Sequence, residues 1–388
     1  MKRSVFIISI FFSCYLTLPA QKSKVLAVFQ LIETGKYEEA KEEIEDAIDD
    51  KKTRQWHRTW YARGLLCQTA YQKGIAEKDQ KKYELYPDQL YLAFHSYRKA
   101  WSLDKRGKLD EHLAPLYVLL ANDFQALGAK HFQKGEYEKA LKAFEEAIQV
   151  YQSPILPVST DTNLLYNTAL AAFENEAWEK AIEYLNKINK DNYSPNVPHL
   201  LYNAYLRKAD TAAAEKVLME GIERYENNED LILLLVDLYF QSNADEKAID
   251  QLDDASSKNP SKHIFPYTKG LIYQKRELYQ AAIDAYKVAL TMAPDETEIY
   301  EHIGTCYYNI GVENEKKART ITNNRAFTRE KEKSAEAFET AVTWFEKALE
   351  KDPDNQYVIT KLYQLYRVLD ISDKMDNMEG LMHSSPRN

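Results

Sequence analysis

Small residues return along this chain at a spacing of 34 residues, with apolar and polar positions repeating between them. Ala214, Ala248 and Ala282 occupy one position of this pattern. Gly270 and Gly304 occupy another. A fixed period of this length indicates one supersecondary unit copied along the chain. It predicts an array that grows by stacking, because such an array has no size limit set by a single core.

The best copy of the unit runs from Gly135 to Ala140 and is followed by Phe144 and Ala147. Nearly the same residues occur at Gly35–Ala40. This unit resembles the tetratricopeptide repeat, a helix–turn–helix of 34 residues. In that family, small residues let the two helices pack closely, large apolar residues fill the gaps, and a proline ends the second helix. The resemblance implies an all-α fold, an α-solenoid in which stacked helix–turn–helix repeats form a right-handed superhelix.

The repeat register predicts one solenoid over residues 21–388, with eight repeats and a cap. The repeats span about 21–54, 57–106, 121–154, 162–195, 195–228, 229–262, 263–296 and 297–355, and the cap spans 356–383. Helical inserts are predicted at about 74–90 and 312–336, the second as a protruding hairpin that turns around Ile321–Arg325. In the cap, Met375, Met378 and Met382 either cover the last repeat or support dimerisation through the end of the stack.

The N-terminal residues have the pattern of a secretory signal peptide. Lys2 and Arg3 precede an apolar stretch, and Leu18-Pro19-Ala20 ends in a small residue. This predicts a signal peptide over residues 1–20 and a periplasmic or secreted protein of a Gram-negative-type envelope. The alternatives are an uncleaved anchor, or a lipoprotein acylated at Cys14. Cys67 and Cys306 lie far apart on apolar helix faces, so both are predicted to be buried core residues.

Composition and charge narrow the function classes. The net charge is −9 and is spread along the chain, which argues against a nucleic-acid surface. In the second insert, lysine and arginine are interleaved with glutamates, which favours a solvated helical hairpin.

The sequence contains no phosphate-binding loop and no zinc-protease motif. Glu298 and His302 are one helical turn apart, but two ligands alone are more typical of a surface pair than of a metal site. The sequence therefore predicts no enzyme, no cofactor and no metal.

The family resemblance also predicts a binding groove, since the first helices of tetratricopeptide repeats line a concave face. The positions that face this groove in the family are here Tyr61, Gln68, Gln125, Tyr166, Phe173, His199, Asn203, Arg207, Asp237, Phe240, Tyr267, Gln274, Lys275, Tyr308 and Asn309. Aromatic rings alternate with amides, which suits an extended peptide or a partner helix. Phe132, Phe173 and Phe240 have an alternative place in the core.

These expectations lead to one functional hypothesis and one alternative. The hypothesis is a non-catalytic scaffold or adaptor for protein–protein interaction in the bacterial cell envelope, binding a segment of a partner protein in the groove. The inserts would add contacts at one edge. No membrane span is expected after signal cleavage, and the oligomeric state stays open. The alternative is a glycan-binding lipoprotein of an outer-membrane uptake system.

Overall fold

The computed structural model describes residues 20–157, 161–226 and 228–384. Over these ranges it contains nineteen α-helices, a 3-10 helix at Asn189–Asp191, and no β-strand. The helices are α1 (Ala20–Glu33), α2 (Tyr37–Asp49), α3 (His57–Glu77), α4 (Gln80–Tyr83), α5 (Gln89–Leu103), α6 (Asp110–Gln133), α7 (Tyr137–Tyr151), α8 (Thr162–Glu174), α9 (Trp178–Ile188), α10 (Asn196–Arg207), α11 (Thr211–Arg224), α12 (Glu229–Gln241), α13 (Asp245–Lys258), α14 (Ile264–Lys275), α15 (Tyr279–Met292), α16 (Thr297–Arg319), α17 (Asn324–Lys351), α18 (Gln356–Val368) and α19 (Ser372–Ser384). The predicted signal peptide, apart from Ala20, and Cys14 lie outside the described residues.

The residues fall into two compact units. The first runs to Tyr193 and includes Asn203–Ala209, and the second comprises Ser194–Tyr202 and the residues from Asp210 onward. In both units the predicted all-α architecture of helix–turn–helix repeats is confirmed. Among the described residues, no helix combines the length and apolar character that a membrane span requires.

The turn inside a repeat holds one residue in the left-handed backbone region. Gly135 does so with a φ of 73°, and at the same repeat position Glu176 and Glu277 have φ values of 56° and 60°. A side chain costs about 1 kcal/mol in this conformation. The turn at Glu176 keeps its geometry because the next residue closes it by a hydrogen bond back to the helix: Ala177 N donates to Ala172 O over 2.8 Å. The fourth repeat therefore has the same turn as the third, although Glu176 stands in place of a glycine.

Where the two helices of a repeat cross, a glycine lies against an aromatic ring. A Cβ added at Gly270 would lie 2.5 Å from Cε1 of Tyr286, and one added at Gly128 would lie 2.6 Å from Cε1 of Phe144. Both distances are far below the separation of about 3.5 Å that carbon atoms prefer. Tyr286 is completely buried. The missing side chain thus sets how closely the helices approach.

The first insert folds back onto its own repeat and onto the preceding one. Helix α3 continues to Glu77, and the short α4 follows. Leu85 and Tyr86 are buried, and the Tyr86 hydroxyl donates to Glu45 over 2.8 Å. Gln89 Nε2 donates to the carbonyl oxygen of Cys67 over 2.9 Å. The C-terminal part of this insert is therefore core, which differs from the polar, partner-facing edge expected from the sequence.

The second insert is part of a long hairpin made by α16 and α17, with its turn at residues 320–323. Ser334 Oγ donates to the carbonyl oxygen of Gly311 over 2.8 Å, and Lys331 Nζ lies 2.7 Å from Glu315. At the end of the chain, Met378 is buried, while Met375 and Met382 pack against the same apolar cluster. This packing favours the alternative in which the methionines cover the last repeat.

The glycine–ring contact gives the first prediction. Gly270→Ala should lower the free energy of unfolding by about 1–3 kcal/mol, because its methyl group has to displace the Tyr286 ring. Chemical denaturation followed by circular dichroism measures the change. Gly380→Ala is the matched control, since nothing lies within 4 Å of the added Cβ there. Equal effects of the two substitutions would contradict the packing argument.

Candidate functional site

Two glutamines predicted to face the groove are tied to buried tyrosines of their own repeats. Gln68 accepts a hydrogen bond from the Tyr97 hydroxyl over 2.9 Å, and Gln274 accepts one from Tyr286 over 2.8 Å. Gln68 is only 2% exposed and also donates to the carbonyl oxygen of Leu116 over 3.2 Å. Its prediction as a groove contact is therefore wrong. A buried amide and a buried hydroxyl satisfy each other there, because leaving either unpaired is costly.

The Gln274 amide oxygen is the centre of a larger polar cluster. His302 Nδ1 donates to it over 3.1 Å, and the Cys306 thiol lies 3.6 Å away. The imidazole also stacks on the Tyr286 ring at 5.2 Å. Burial lowers the pKa of His302 and raises the pKa of the Cys306 thiol to about 12. Both groups are thus neutral at pH 7 and hold Gln274 in place.

Tyrosines predicted at a second groove position lie partly in the core. Tyr267 packs against Tyr286 at 5.8 Å and donates its hydroxyl to Glu298 over 3.3 Å. Tyr61 packs against Tyr97 at 6.1 Å in the corresponding way. Each ring is half-buried, so it supports the crossing of its repeat and presents one edge outward.

Phenylalanines at the position equivalent to Gln274 divide into two groups. Phe132 meets Tyr137 edge-on at 5.2 Å, and Phe173 meets Trp178 edge-on at 5.1 Å. In both cases the partner ring opens the second helix of the same repeat. These two phenylalanines mainly brace their own turns, which favours the core alternative for them.

Phe240 is different because no aromatic residue opens the following helix. Asp245 takes that position, is buried, and forms an ion pair with Arg276. The Phe240 ring instead contacts the Lys275 ammonium group, whose Nζ lies 4.0 Å from the ring centroid. This distance suits a cation–π interaction. The contact joins the ends of α12 and α14.

Phe240 and Lys275 lie in a cleft of about 560 Å³ formed by α12, α14 and α16 in the second unit. The cleft is lined by Leu233, Val236, Asp237, Phe240, Thr268, Leu271, Ile272, Gln274, Lys275 and Asn309. Five of these residues were predicted from the sequence, namely Asp237, Phe240, Gln274, Lys275 and Asn309. The other five form much of its apolar wall and were not predicted, although Leu233 and Leu271 stand at the same repeat positions as Tyr267 and Asp237.

The polar groups of the cleft surround this apolar wall. Asp237 Oδ2 accepts a hydrogen bond from Gln241 over 2.6 Å. Among the residues that the structure describes, the Asn309 side chain has no hydrogen-bond partner, so both its donor and its acceptor are available. The cleft thus offers a carboxylate, an ammonium group and an amide beside apolar side chains.

Tyr308 lies near the cleft but is covered by a lysine of the next repeat. The Nζ of Lys361 is 4.5 Å from the centroid of its ring, and the ring packs on Phe338 at 5.8 Å. Burial lowers the pKa of Lys361. Tyr308 therefore contributes to packing between repeats more than to an open surface.

The remaining predicted residues lie outside this cleft. Gln125 donates weakly to the Tyr151 hydroxyl over 3.5 Å, and Tyr166 packs on Tyr193 at 5.2 Å. The guanidinium of Arg207 lies 6.0 Å from the Trp178 ring. The other two predicted residues are His199, which is exposed, and Asn203, which is half-buried.

A second concavity, of about 760 Å³, lies between α1 and α2. Its wall is mostly polar, with Leu31 as its one large apolar side chain among the lining residues described. It is larger than the cleft but has no aromatic anchor, so we regard the cleft as the candidate site.

The structure adds two observations on reactive groups. Cys67 and Cys306 are free and buried, as predicted. Over the described ranges, no group of three His, Cys, Asp or Glu residues is placed to hold a metal ion. Glu298 and His302 direct their side chains to different partners, Tyr267 and Gln274.

Comparison with known proteins supports the repeat interpretation. Sequence profiles of the tetratricopeptide repeat match residues 126–195 and 267–296. The chain contains tetratricopeptide repeats. The second match covers α14 and α15, and therefore part of the cleft. Proteins with such repeats generally mediate protein–protein interaction.

Two curated proteins show distant similarity. The BBSome complex member BBS4 of Bos taurus is 20% identical over 60% of this chain and 44% of its own length. Tetratricopeptide repeat protein 21A of Mus musculus is 22% identical over 62% of this chain and 20% of its own length. The chain thus spans less than half the length of either relative.

Two solved structures are similar in part. A protein of such repeats from Bacteroides fragilis is 19% identical, covers 64% of this chain and 98% of its own, and has a TM-score of 0.36. The C-terminal part of a repeat-containing protein from Cytophaga hutchinsonii is 16% identical, covers 56% and 76%, and has a TM-score of 0.39.

The Gln274–Tyr286 hydrogen bond can be tested by a double-mutant cycle. Gln274→Leu should destabilise the protein by about 1–3 kcal/mol, because the buried Tyr286 hydroxyl loses its acceptor. Adding Tyr286→Phe removes that hydroxyl, so the double variant should lose less than the sum of the single variants. Denaturant unfolding of the four proteins gives the coupling energy. Additive losses would show that the bond does not link the two residues.

Proposed function

We propose that this chain is a non-catalytic binding protein of the bacterial cell envelope that holds a segment of another protein in the cleft between α12, α14 and α16. The cleft's combination of an apolar wall with polar groups of three kinds carries this proposal. Its location in the envelope rests on the predicted signal peptide.

The chemistry of the cleft fits a peptide segment. Its volume lies in the range of about 300–1,000 Å³ that is typical of binding sites. Leu233, Val236 and Leu271 can bury an apolar side chain of the partner. The amide of Asn309 can pair with a main-chain N–H and C=O, since it offers both a donor and an acceptor.

The charged groups would fix the direction of the bound segment. Asp237 lies on α12 and Lys275 at the end of α14. Lys275 is exposed, and its ammonium group already lies against the Phe240 ring, so less side-chain conformational entropy is lost on binding than for a lysine without such a contact. A partner carboxylate next to Lys275 and a partner cation next to Asp237 would therefore be favoured.

Affinity capture from an envelope extract tests the proposal. A Phe240→Ala/Lys275→Ala variant should retain the specific partner at least about tenfold less than the wild type, because it removes an aromatic anchor and a charge from the centre of the site. Quantitative mass spectrometry of the eluates, followed by affinity measurement with the purified partner, gives the effect.

The matched control removes one apolar side chain and one lysine outside the cleft. Met219→Ala/Lys216→Ala serves this purpose, since Met219 is 53% exposed on α11 of the same unit. This variant should bind as the wild type does. Equal loss in both variants, or no loss in either, would place the binding surface elsewhere on the chain.

A further inference from the structure

The hairpin of α16 and α17 ends in a segment of reversed charge, residues 316–329, here called the basic tip. It contains no Asp or Glu and five basic residues, Lys316, Lys317, Arg319, Arg325 and Arg329. The net charge of the chain is −9, so the rest of the chain carries −14 once these five charges are set aside. The glutamates that interleave with basic residues in this insert lie below the tip, at its base.

The charges of the basic tip are open to solvent. All five side chains are exposed. Arg319 lies 3.6 Å from Glu315. In the described part of the chain, no carboxylate lies within ion-pair distance of Lys316, Lys317, Arg325 or Arg329. Glu315 and Glu330 beside the tip offset part of this charge, and the tip retains a net positive charge for an external anion.

Helix stability explains three of these five charges. Lys316, Lys317 and Arg319 stand in the last turn of α16, where cations interact favourably with the helix dipole. Arg325 stands in the first turn of α17, where cations are unfavourable, and this turn has no acidic residue. The helix dipole therefore does not account for Arg325, and its exposed charge is available to an external partner.

The tip also carries an exposed aromatic ring. Phe327 is 40% exposed and belongs to the first turns of α17. Ile321 lies half-buried in the connecting turn. Basic residues around an exposed aromatic ring are the composition of segments that bind at the headgroup level of anionic bilayers.

The length of the hairpin separates its end from the acidic residues of the stacked repeats. Helix α16 continues from residue 310 to 319 beyond Asn309, the position equivalent to the end of α14. This extension adds about 15 Å at 1.5 Å per residue. The Debye length at physiological salt is about 8 Å. Acidic residues of the repeats below Asn309 are thus largely screened at the end of the hairpin, whereas Glu315 and Glu330 directly adjoin the tip.

We propose that the basic tip docks onto the anionic surface of a lipid bilayer. Lysine and arginine side chains contact the lipid phosphates, and Phe327 enters the boundary between headgroups and acyl chains. A tip at the end of a hairpin suits a flat surface, which it can touch while the acidic residues of the second unit's repeats stay away. A nucleic-acid rod would run past those residues and be repelled by them.

Vesicle co-sedimentation of the full chain tests this proposal. The chain should bind vesicles that contain phosphatidylglycerol, bind phosphatidylcholine vesicles weakly, and lose the difference at high salt. Lys317→Gln/Arg325→Gln/Arg329→Gln should lower the partition coefficient at least about tenfold. Lys105→Gln/Arg106→Gln/Lys108→Gln changes the net charge equally, at exposed positions of the first unit, and should bind as the wild type does.

A second variant separates lipid from other polyanions. Phe327→Ser should lower vesicle binding about threefold or more, because the ring no longer enters the bilayer boundary, and should leave weak binding to a double-stranded oligonucleotide unchanged. No preference for phosphatidylglycerol, an equal loss in both charge variants, or tighter binding to the oligonucleotide than to vesicles would overturn the proposal. Unchanged circular dichroism shows that each variant is folded.

Discussion

The structure depends on the close contact between a glycine of one helix and an aromatic ring of the next. A Cβ at Gly311 would lie 2.5 Å from Phe338, and one at Gly64 would lie 2.5 Å from Tyr97. The same contact recurs in both units, with different rings above the glycine. It recurs in the second, third, seventh and eighth repeats, where the helices bury their apolar faces by approaching this closely.

This contact determines which side chains remain for binding. Where the ring is a tyrosine, its hydroxyl has to be paired, and Gln68 or Gln274 supplies the acceptor. Where a second aromatic residue follows the turn, as Trp178 does, it takes up the preceding phenylalanine. Phe240 has no tyrosine hydroxyl to pair and no aromatic residue after the turn to pack against. Its ring therefore lines the cleft and contacts Lys275. The candidate site thus lies where fewer side chains of the first helices are engaged in packing and hydrogen bonding within their own repeat.

Much of the fold could be predicted from the sequence, because the 34-residue period and the small residues determine the packing of the two helices within each repeat. Glu176 stands where another repeat has Gly135, and the turn nevertheless has the same left-handed conformation, since backbone hydrogen bonds hold it. Helix α6 begins at Asp110, before the predicted repeat start at 121, because Leu113, Tyr117 and Leu120 extend its buried face. The 34-residue register carries no information on such an extension.

The candidate site was predictable only in part. The burial of Gln68 depends on Tyr97 and Leu116, which are 29 and 48 residues away in sequence. A periodic pattern of apolar and small residues does not indicate polar contacts between residues so far apart in sequence. The apolar wall of the cleft was missed for another reason: Leu233 and Leu271 stand at the same repeat positions as Tyr267 and Asp237, but the prediction selected aromatic and polar side chains there and left the leucines out. The basic tip was not predicted because the insert was considered as a whole over 312–336, where glutamates on both sides of the tip balance its positive charge.

The most direct test of the central claim, that the cleft holds a segment of another protein, is site-specific photo-crosslinking in intact cells. A benzophenone side chain would replace Leu271 in the cleft, and in a separate variant Val288, which is 49% exposed on α15. The account predicts one protein adduct from position 271, mapped to a single segment of that protein, and no such adduct from position 288. The same adducts from both positions, or none from position 271, would contradict it.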